Sequence, residues 1–359
     1  MSLLFPVLIA LACVVCSAPS AMAAPPDAGA GADAPLPRLL HDTGLHAPGS
    51  PHAVRQGIAA FSPQYPLWSD GAYKRRWVYL PPGAYIDGSR PDAWEFPRGT
   101  KLWKEFAHDG RPVETRYIER LANGTWRFAA YVWNEAGTEA VIAPATGVPE
   151  LQVPAAPQGR YAVPSRADCL ACHGSAAVPV LGLGALQLSP ERDPRAAGGR
   201  SRHADELDLP GLVARGWLRG LPTPLIEQPP RIPAATPVER AALGYLHGNC
   251  AHCHNTSDRK VPLRLTLAQR VADAPAALEE VLRSAVAAFS RWRPSGMDSE
   301  AVIVAPGHPQ HSMLALRMQS RNPRERMPPL GTTEPDPEGL ALVRQWIANY
   351  LSNPKEISP

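Results

Sequence analysis

Four of the six cysteines in this 359-residue chain stand in two copies of one spacing. Cys169-Leu170-Ala171-Cys172-His173 and Cys250-Ala251-His252-Cys253-His254 both read C-x-x-C-H. With 6 Cys and 11 His in the chain, about 0.003 copies are expected by chance. On a helical turn, positions i, i+3 and i+4 share a face, so both thiols can bond the vinyl groups of one haem while the next imidazole comes up beneath the iron. This spacing is the attachment signal of c-type haem. Cys169, Cys172, Cys250 and Cys253 are thus the candidate attachment residues of two covalently bound haem c groups, and His173 and His254 are their candidate proximal iron ligands. A zinc site of four cysteines, or a pair of disulfides, would leave both trailing histidines without a role.

The N-terminus speaks to the compartment. Leu3 to Val15 is almost wholly apolar, and the small residues that follow include the A-x-A pattern Ala21-Met22-Ala23. Residues 1–23 therefore read as a secretory signal peptide, placing the mature chain in the periplasm. A lipoprotein anchor at Cys13 is the minor alternative. The apolar run is shorter than the roughly 20 residues a membrane-spanning helix needs, and no later segment offers one.

The elements that must position the two motifs follow from local pattern. Residues 24–55, rich in Ala, Pro and Gly, read as a flexible tail, with His41, His46 and His52 as solvated loop residues. Short aromatic and β-branched runs at Arg76 to Leu80, Lys101 to Phe106, Val113 to Leu121 and Thr125 to Asn134 predict antiparallel strands. Asn123-Gly124 predicts a tight hairpin between the last two. Trp94, Trp103, Trp126 and Trp133 are expected in the sheet core. Six prolines between Leu221 and Pro237 predict an interdomain linker. Thr236 to Glu239 then opens a helix as a capping box, and Asp336-Pro337 opens a last helix whose apolar stripe holds Leu340, Val343, Trp346 or Ile347, and Tyr350. The expected fold is α+β: a mainly antiparallel β domain over 56–220 with the first haem site, a linker over 221–236, and an all-α domain over 237–352 with the second.

Residues 236 to 352 resemble a class I cytochrome c. Gly244-Tyr245 is similar to the small/aromatic pair used where first and last helices cross in such cytochromes, and Arg326-Met327-Pro328-Pro329-Leu330-Gly331 is similar to their methionine loop. The resemblance implies Met327 as the sixth ligand of the second haem. Proline after methionine restricts the backbone and limits helix formation there. Met313 and Met318 fall in a predicted helix from His311 to Gln319 and read as packing residues.

Across the mature chain the order of strings resembles a family of exported dihaem c-type cytochromes of bacteria. They include Tyr65-Pro66-Leu67-Trp68-Ser69-Asp70-Gly71-Ala72, Trp94-Glu95-Phe96-Pro97-Arg98-Gly99-Thr100, Tyr131-Val132-Trp133-Asn134-Glu135 and Ala305-Pro306-Gly307-His308-Pro309. Phe61 to Gly174 is also similar to the β-sheet cytochromes c-prime, which implies a first haem with an open sixth position that binds small gases. The methionine inventory agrees with that: beyond the leader, Met297, Met313, Met318 and Met327 all lie in the C-terminal part. His108 and His203 are the nearest alternatives for a ligand to the first haem.

Composition narrows the function classes. A net charge of +3, with 19% charged residues, excludes the strong field of a nucleic-acid binder. Two readings remain. One is an electron carrier between redox proteins such as a dehydrogenase and a terminal oxidoreductase; the other is a dihaem redox enzyme or gas-binding protein, peroxidase-like or acting on a small gas, that uses an open first haem.

Overall fold

The computed structural model describes residues 35–256, 264–297 and 300–350; the predicted leader, Cys13 and residues 24–34 lie outside them. Among the described residues the N-terminal part holds nine strands, β1 (Ala59–Ala60), β2 (Tyr73–Tyr79), β3 (Ile86–Asp87), β4 (Lys101–His108), β5 (Arg111–Arg120), β6 (Trp126–Trp133), β7 (Ala140–Ile142), β8 (Val148–Gln152) and β9 (Arg160–Val163). Helix α1 (Arg166–His173) follows, then α2 (Leu209–Ala214), β10 (Leu218–Arg219), α3 (Thr223–Glu227), α4 (Pro237–Asn249), α5 (Ala274–Ala285), α6 (Met313–Gln319) and α7 (Pro337–Asn349). The architecture is α+β, with a large antiparallel sheet early in the chain and helices later. None of the described helices is long and apolar enough to cross a membrane.

Six strands form the main sheet in the order β1-β2-β4-β5-β6-β7, all neighbours antiparallel. Successive side chains of a strand point to opposite faces, so the register sorts residues into two sets. One face carries Trp77, Trp103, Tyr117, Ala129, Tyr131 and Trp133, which pack with Leu40 and Leu45. Residues 35–55 thereby cover an aromatic layer, unlike the flexible tail expected over 24–55, because Leu40 and Leu45 supply the apolar surface that closes this face. His46 is buried there too, edge-on to Trp133 at 5.9 Å, where a solvated loop residue was expected.

The β5–β6 connection also departs from the two-residue hairpin. The Leu121 and Gly124 amides donate to Thr125 and Leu121 carbonyls, and only Gly124 takes positive φ, at 87°. Asn123 Oδ1 accepts from the Thr125 amide at 2.9 Å instead. The three-residue loop needs one left-handed residue, and glycine provides it without steric penalty.

The helices of the C-terminal part are capped by side chains. Thr236 accepts from the Glu239 amide at 3.1 Å, while the Glu239 carboxylate reaches one residue past the expected box to the Ala235 amide at 2.7 Å. Asp336 accepts from the Gly339 amide at 3.0 Å to open α7. Where α4 meets α7, a Cβ on Gly339 would lie 2.2 Å from the Tyr245 ring, so Gly339 is the small residue that admits this aromatic. Gly244 serves another partner: a Cβ there would lie 2.1 Å from the Tyr65 ring, which arrives from the β-rich part. Ile232, within the proline-rich segment, is buried in the same cluster as Tyr65, Leu243, Val343 and Ile347.

The stretch from Tyr65 to Asp70 ties the two parts of the chain together. The Trp68 amide donates to Asn249 Oδ1 at 2.7 Å, and its indole donates to the Glu334 carbonyl at 3.1 Å. Asp70 accepts from the Thr333 amide and hydroxyl at 2.8 and 2.9 Å and from the Glu334 amide at 3.0 Å. Those contacts sit a few residues beyond Met327 in the chain.

Candidate haem attachment site

The first motif lies wholly on α1. Ser165 and Asp168 form a reciprocal capping box that starts the helix, the Ser165 hydroxyl accepting from the Asp168 amide at 3.1 Å and Asp168 from the Ser165 amide at 2.9 Å. Cys169, Cys172 and His173 thus share a face as the spacing predicts. The second motif follows the end of α4 in turns rather than in a helix, although the His254 amide still donates to the Cys250 carbonyl at 2.9 Å. That single turn preserves the i, i+4 relationship on which the chemistry depends.

Both motifs line one cavity of about 910 Å³, which also receives Met313, Met318 and Met327. Met327 is half-buried on its loop, where its amide donates a hydrogen bond to the Arg317 carbonyl at 2.9 Å. Met313 and Met318 are buried on α6, and Met318 belongs to the helical core. His108 and His203 do not line the cavity: His108 is buried against Tyr161, their ring centroids 5.8 Å apart, and His203 is exposed.

Hydrogen bonding fixes the tautomers of two cavity histidines. His173 Nδ1 stands 2.5 Å from the Pro179 carbonyl, so it carries the proton and leaves Nε2 a free lone pair. His247, not singled out from the sequence, accepts at Nδ1 from the Gln269 amide at 3.1 Å, so its proton sits on Nε2, which then has no lone pair to offer. His254 Nδ1 is buried without a partner among the described residues. Burial lowers both His173 and His254 to about 4, keeping the rings neutral at pH 7.

The thiols also sit where neutral sulfur is favoured. Burial pushes Cys250 up to about 12, and it raises Cys169 as well. A hydrogen bond with Cys253, then burial, pushes Cys172 up to about 12. A thioether is neutral, so this setting accepts it without the desolvation penalty a thiolate bears. The residues present fit haem c: paired sulfurs, a neutral imidazole with a free Nε2 in the first motif, and an apolar cavity beside both.

One arrangement has no signal in the sequence. Ligand atoms of Cys172, His252 and Cys253 all lie within 4.8 Å of one another, bringing the two motifs into contact. Asn255 Nδ2 adds a bond to the Ser175 carbonyl at 3.2 Å across the same seam. A metal bound by that trio would use one thiol of each motif and leave Cys169, Cys250, His173 and His254 idle.

No family model matches the chain, and no curated protein or solved structure matches it.

Proposed function

We propose that the chain is an exported dihaem c-type cytochrome that passes single electrons between redox partners in the periplasm. The observation that carries this reading is that two C-x-x-C-H motifs line one cavity, each with its thiols and imidazole on a single turn. Haem c, when bound, supplies reversible one-electron exchange at its iron. The chain's part is attachment and tuning: Cys169 with Cys172, and Cys250 with Cys253, are the pairs that would hold the two haems through thioether bonds. Pro179 holds the His173 ring by its Nδ1 proton, which raises the basicity of Nε2. On the C-terminal side Met327, whose amide donates to the Arg317 carbonyl, would offer its thioether to the second haem.

A second reading, a dihaem redox enzyme or gas-binding protein, is favoured by a specific observation: among the described residues His108 and His203 lie off the cavity, and every methionine that lines it comes from the C-terminal part. A haem held by the first motif would then be free to bind a small ligand.

The test is purification of the chain after export. Denatured protein should retain two haems per chain by the pyridine haemochrome assay and show no free thiol; loss of haem to acid acetone would overturn the proposal. Carbon monoxide binding at one haem selects the second reading, and no binding at either selects the carrier.

A further inference from the structure

One face of the main sheet turns an unusual row of charge toward the cavity. Arg76 on β2 pairs in register with Lys104 on β4, and Lys104 with Arg116 on β5. Directly opposed residues on one face stand about 5 Å apart, so three cations occupy neighbouring positions, and all three line the cavity that carries the first motif. Arg116 is neutralised: it donates to both oxygens of Glu114 at 2.8 and 3.0 Å, and the Tyr161 hydroxyl donates to the same carboxylate at 2.6 Å.

Arg76 and Lys104 have no such partner. Among the described residues neither side chain makes a hydrogen bond or an ion pair, although Arg76 is only 8% exposed. Lys104 Nζ has the Phe106 ring at 4.7 Å, and Glu206, the carboxylate that bears on Arg76, is already engaged by Ser62 and Arg200. Burial lowers Arg76 to about 10, with Arg200 and Arg192 adding to the effect, and burial together with the Arg76 and Arg116 charges holds Lys104 well below the ordinary ammonium range. Glu114, the carboxylate that bears on Lys104, is likewise engaged by Arg116 and Tyr161. Adjacent cations drawn out of water with no carboxylate bonded to either are costly, whereas one anion between them would offset both.

We propose that Arg76 and Lys104 form an anion site in the cavity wall that takes a carboxylate or another small oxyanion. A guanidinium fork beside a point-charge amine suits such a group, since the fork fixes the plane of the oxygens and the amine adds charge. The ligand has two sources. One, which rests on the dihaem reading, is the carboxylates of the haem held by the first motif; the other is a free oxyanion entering the cavity.

The experiment uses full-length holoprotein: wild type, Arg76→Gln, Lys104→Met, the double variant and the conservative Lys104→Arg. Haem content, both redox potentials and the melting temperature are measured, and sodium formate is titrated against sodium chloride at matched ionic strength. If the haem carboxylates are the source, the double variant keeps both covalent haems, the potential of one falls because lost positive charge favours ferric iron, and formate leaves wild type unchanged. If a free anion is the source, formate raises the wild-type melting temperature saturably beyond chloride, and the double variant loses the response. Lys104→Arg preserves whichever behaviour wild type shows. If the double variant does not fold, Lys104→Met alone carries the comparison.

Unchanged potentials together with no formate response overturn the site. Conversion of one haem from low to high spin in Lys104→Met also overturns it, because the amine is then an iron ligand. A chain purified without covalent haem overturns the dihaem reading instead, and the formate titration then decides the anion site by itself.

Discussion

Cys172 of the first motif and Cys253 of the second bring their sulfur atoms within 4.8 Å of each other, with a ring nitrogen of His252 in the same group. The sulfurs at which two haems would be anchored are therefore neighbours, although the first motif lies on α1 and the second in the turns that follow α4, far apart in the chain.

This proximity predicts that the two irons sense each other. Charge at one site alters the potential of another across a low-dielectric interior, and nearby paramagnetic irons couple magnetically. Electron paramagnetic resonance of the oxidised holoprotein should show interacting signals that simplify in the single-haem variant Cys169→Ser/Cys172→Ser. Wild-type spectra equal to the sum of two independent haems would count against the arrangement.

Met327, Met313 and Met318 all reach the cavity, but only Met327 stands on a loop rather than a packed helix. Met327→Ala should abolish the sulfur-to-iron charge-transfer band and lower the potential of the second haem. Met313→Ala and Met318→Ala should keep the band and cost about 2–5 kcal/mol in packing, as buried side chains do on truncation to alanine. Persistence of the band in Met327→Ala would refute the ligand. Thioether ligation raises potential, so the second haem should also be the first reduced in a redox titration.

Tyr65 and Gly244 form the tightest aromatic-to-glycine contact across the two parts of the chain. Gly244→Ala should destabilise by about 1–3 kcal/mol through overpacking, and Tyr65→Ala by about 3–5 kcal/mol through the void it leaves. Combined, the two changes should cost clearly less than their sum, since the alanine methyl no longer meets a ring. Strict additivity in denaturant unfolding would show that the ring and the glycine do not share a contact.

His46 supplies a pH prediction. Burial, then the neighbouring His52 and His41 charges, hold it at about 4, below the ordinary imidazole value of 6.5. The ring is neutral in the fold, so its contribution is fully present above the unfolded-state value and is lost as pH falls from 6.5 toward 4. The slope from this residue is at most about 1.4 kcal/mol per pH unit. His46→Gln should flatten that part of the stability profile in unfolding experiments run between those limits; an identical profile would show that His46 is not the group responsible.

Much of the fold was legible because its signals are local. The four strands of the sheet centre follow from aromatic and β-branched runs, and helices α4 and α7 from caps at Thr236 and Asp336, since strand alternation and helix starts are set within a few residues. The departures were non-local. Leu40 and Leu45 sit in a segment whose composition suggests mobility, and nothing nearby in the chain shows that an aromatic sheet face awaits them. The partner of Gly244 is non-local for the same reason: the need for a small residue is visible in the sequence, whereas the identity of the ring pressed on it, that of Tyr65, is not.

By itself the sequence determined which atoms can do the chemistry. In Cys169 to His173 and Cys250 to His254 two thiols and an imidazole fall on one turn whatever surrounds them, because five residues span little more than one helical turn. Only the tertiary structure decided that the motifs meet at Cys172 and Cys253, that Pro179 fixes the His173 tautomer while Gln269 fixes that of His247, and that Arg76 and Lys104 stand side by side with no carboxylate bonded to either among the described residues. Each of these joins elements far apart in the chain, and strand register and helix packing, which close such distances, are settled by the burial of whole faces rather than by any short run of residues.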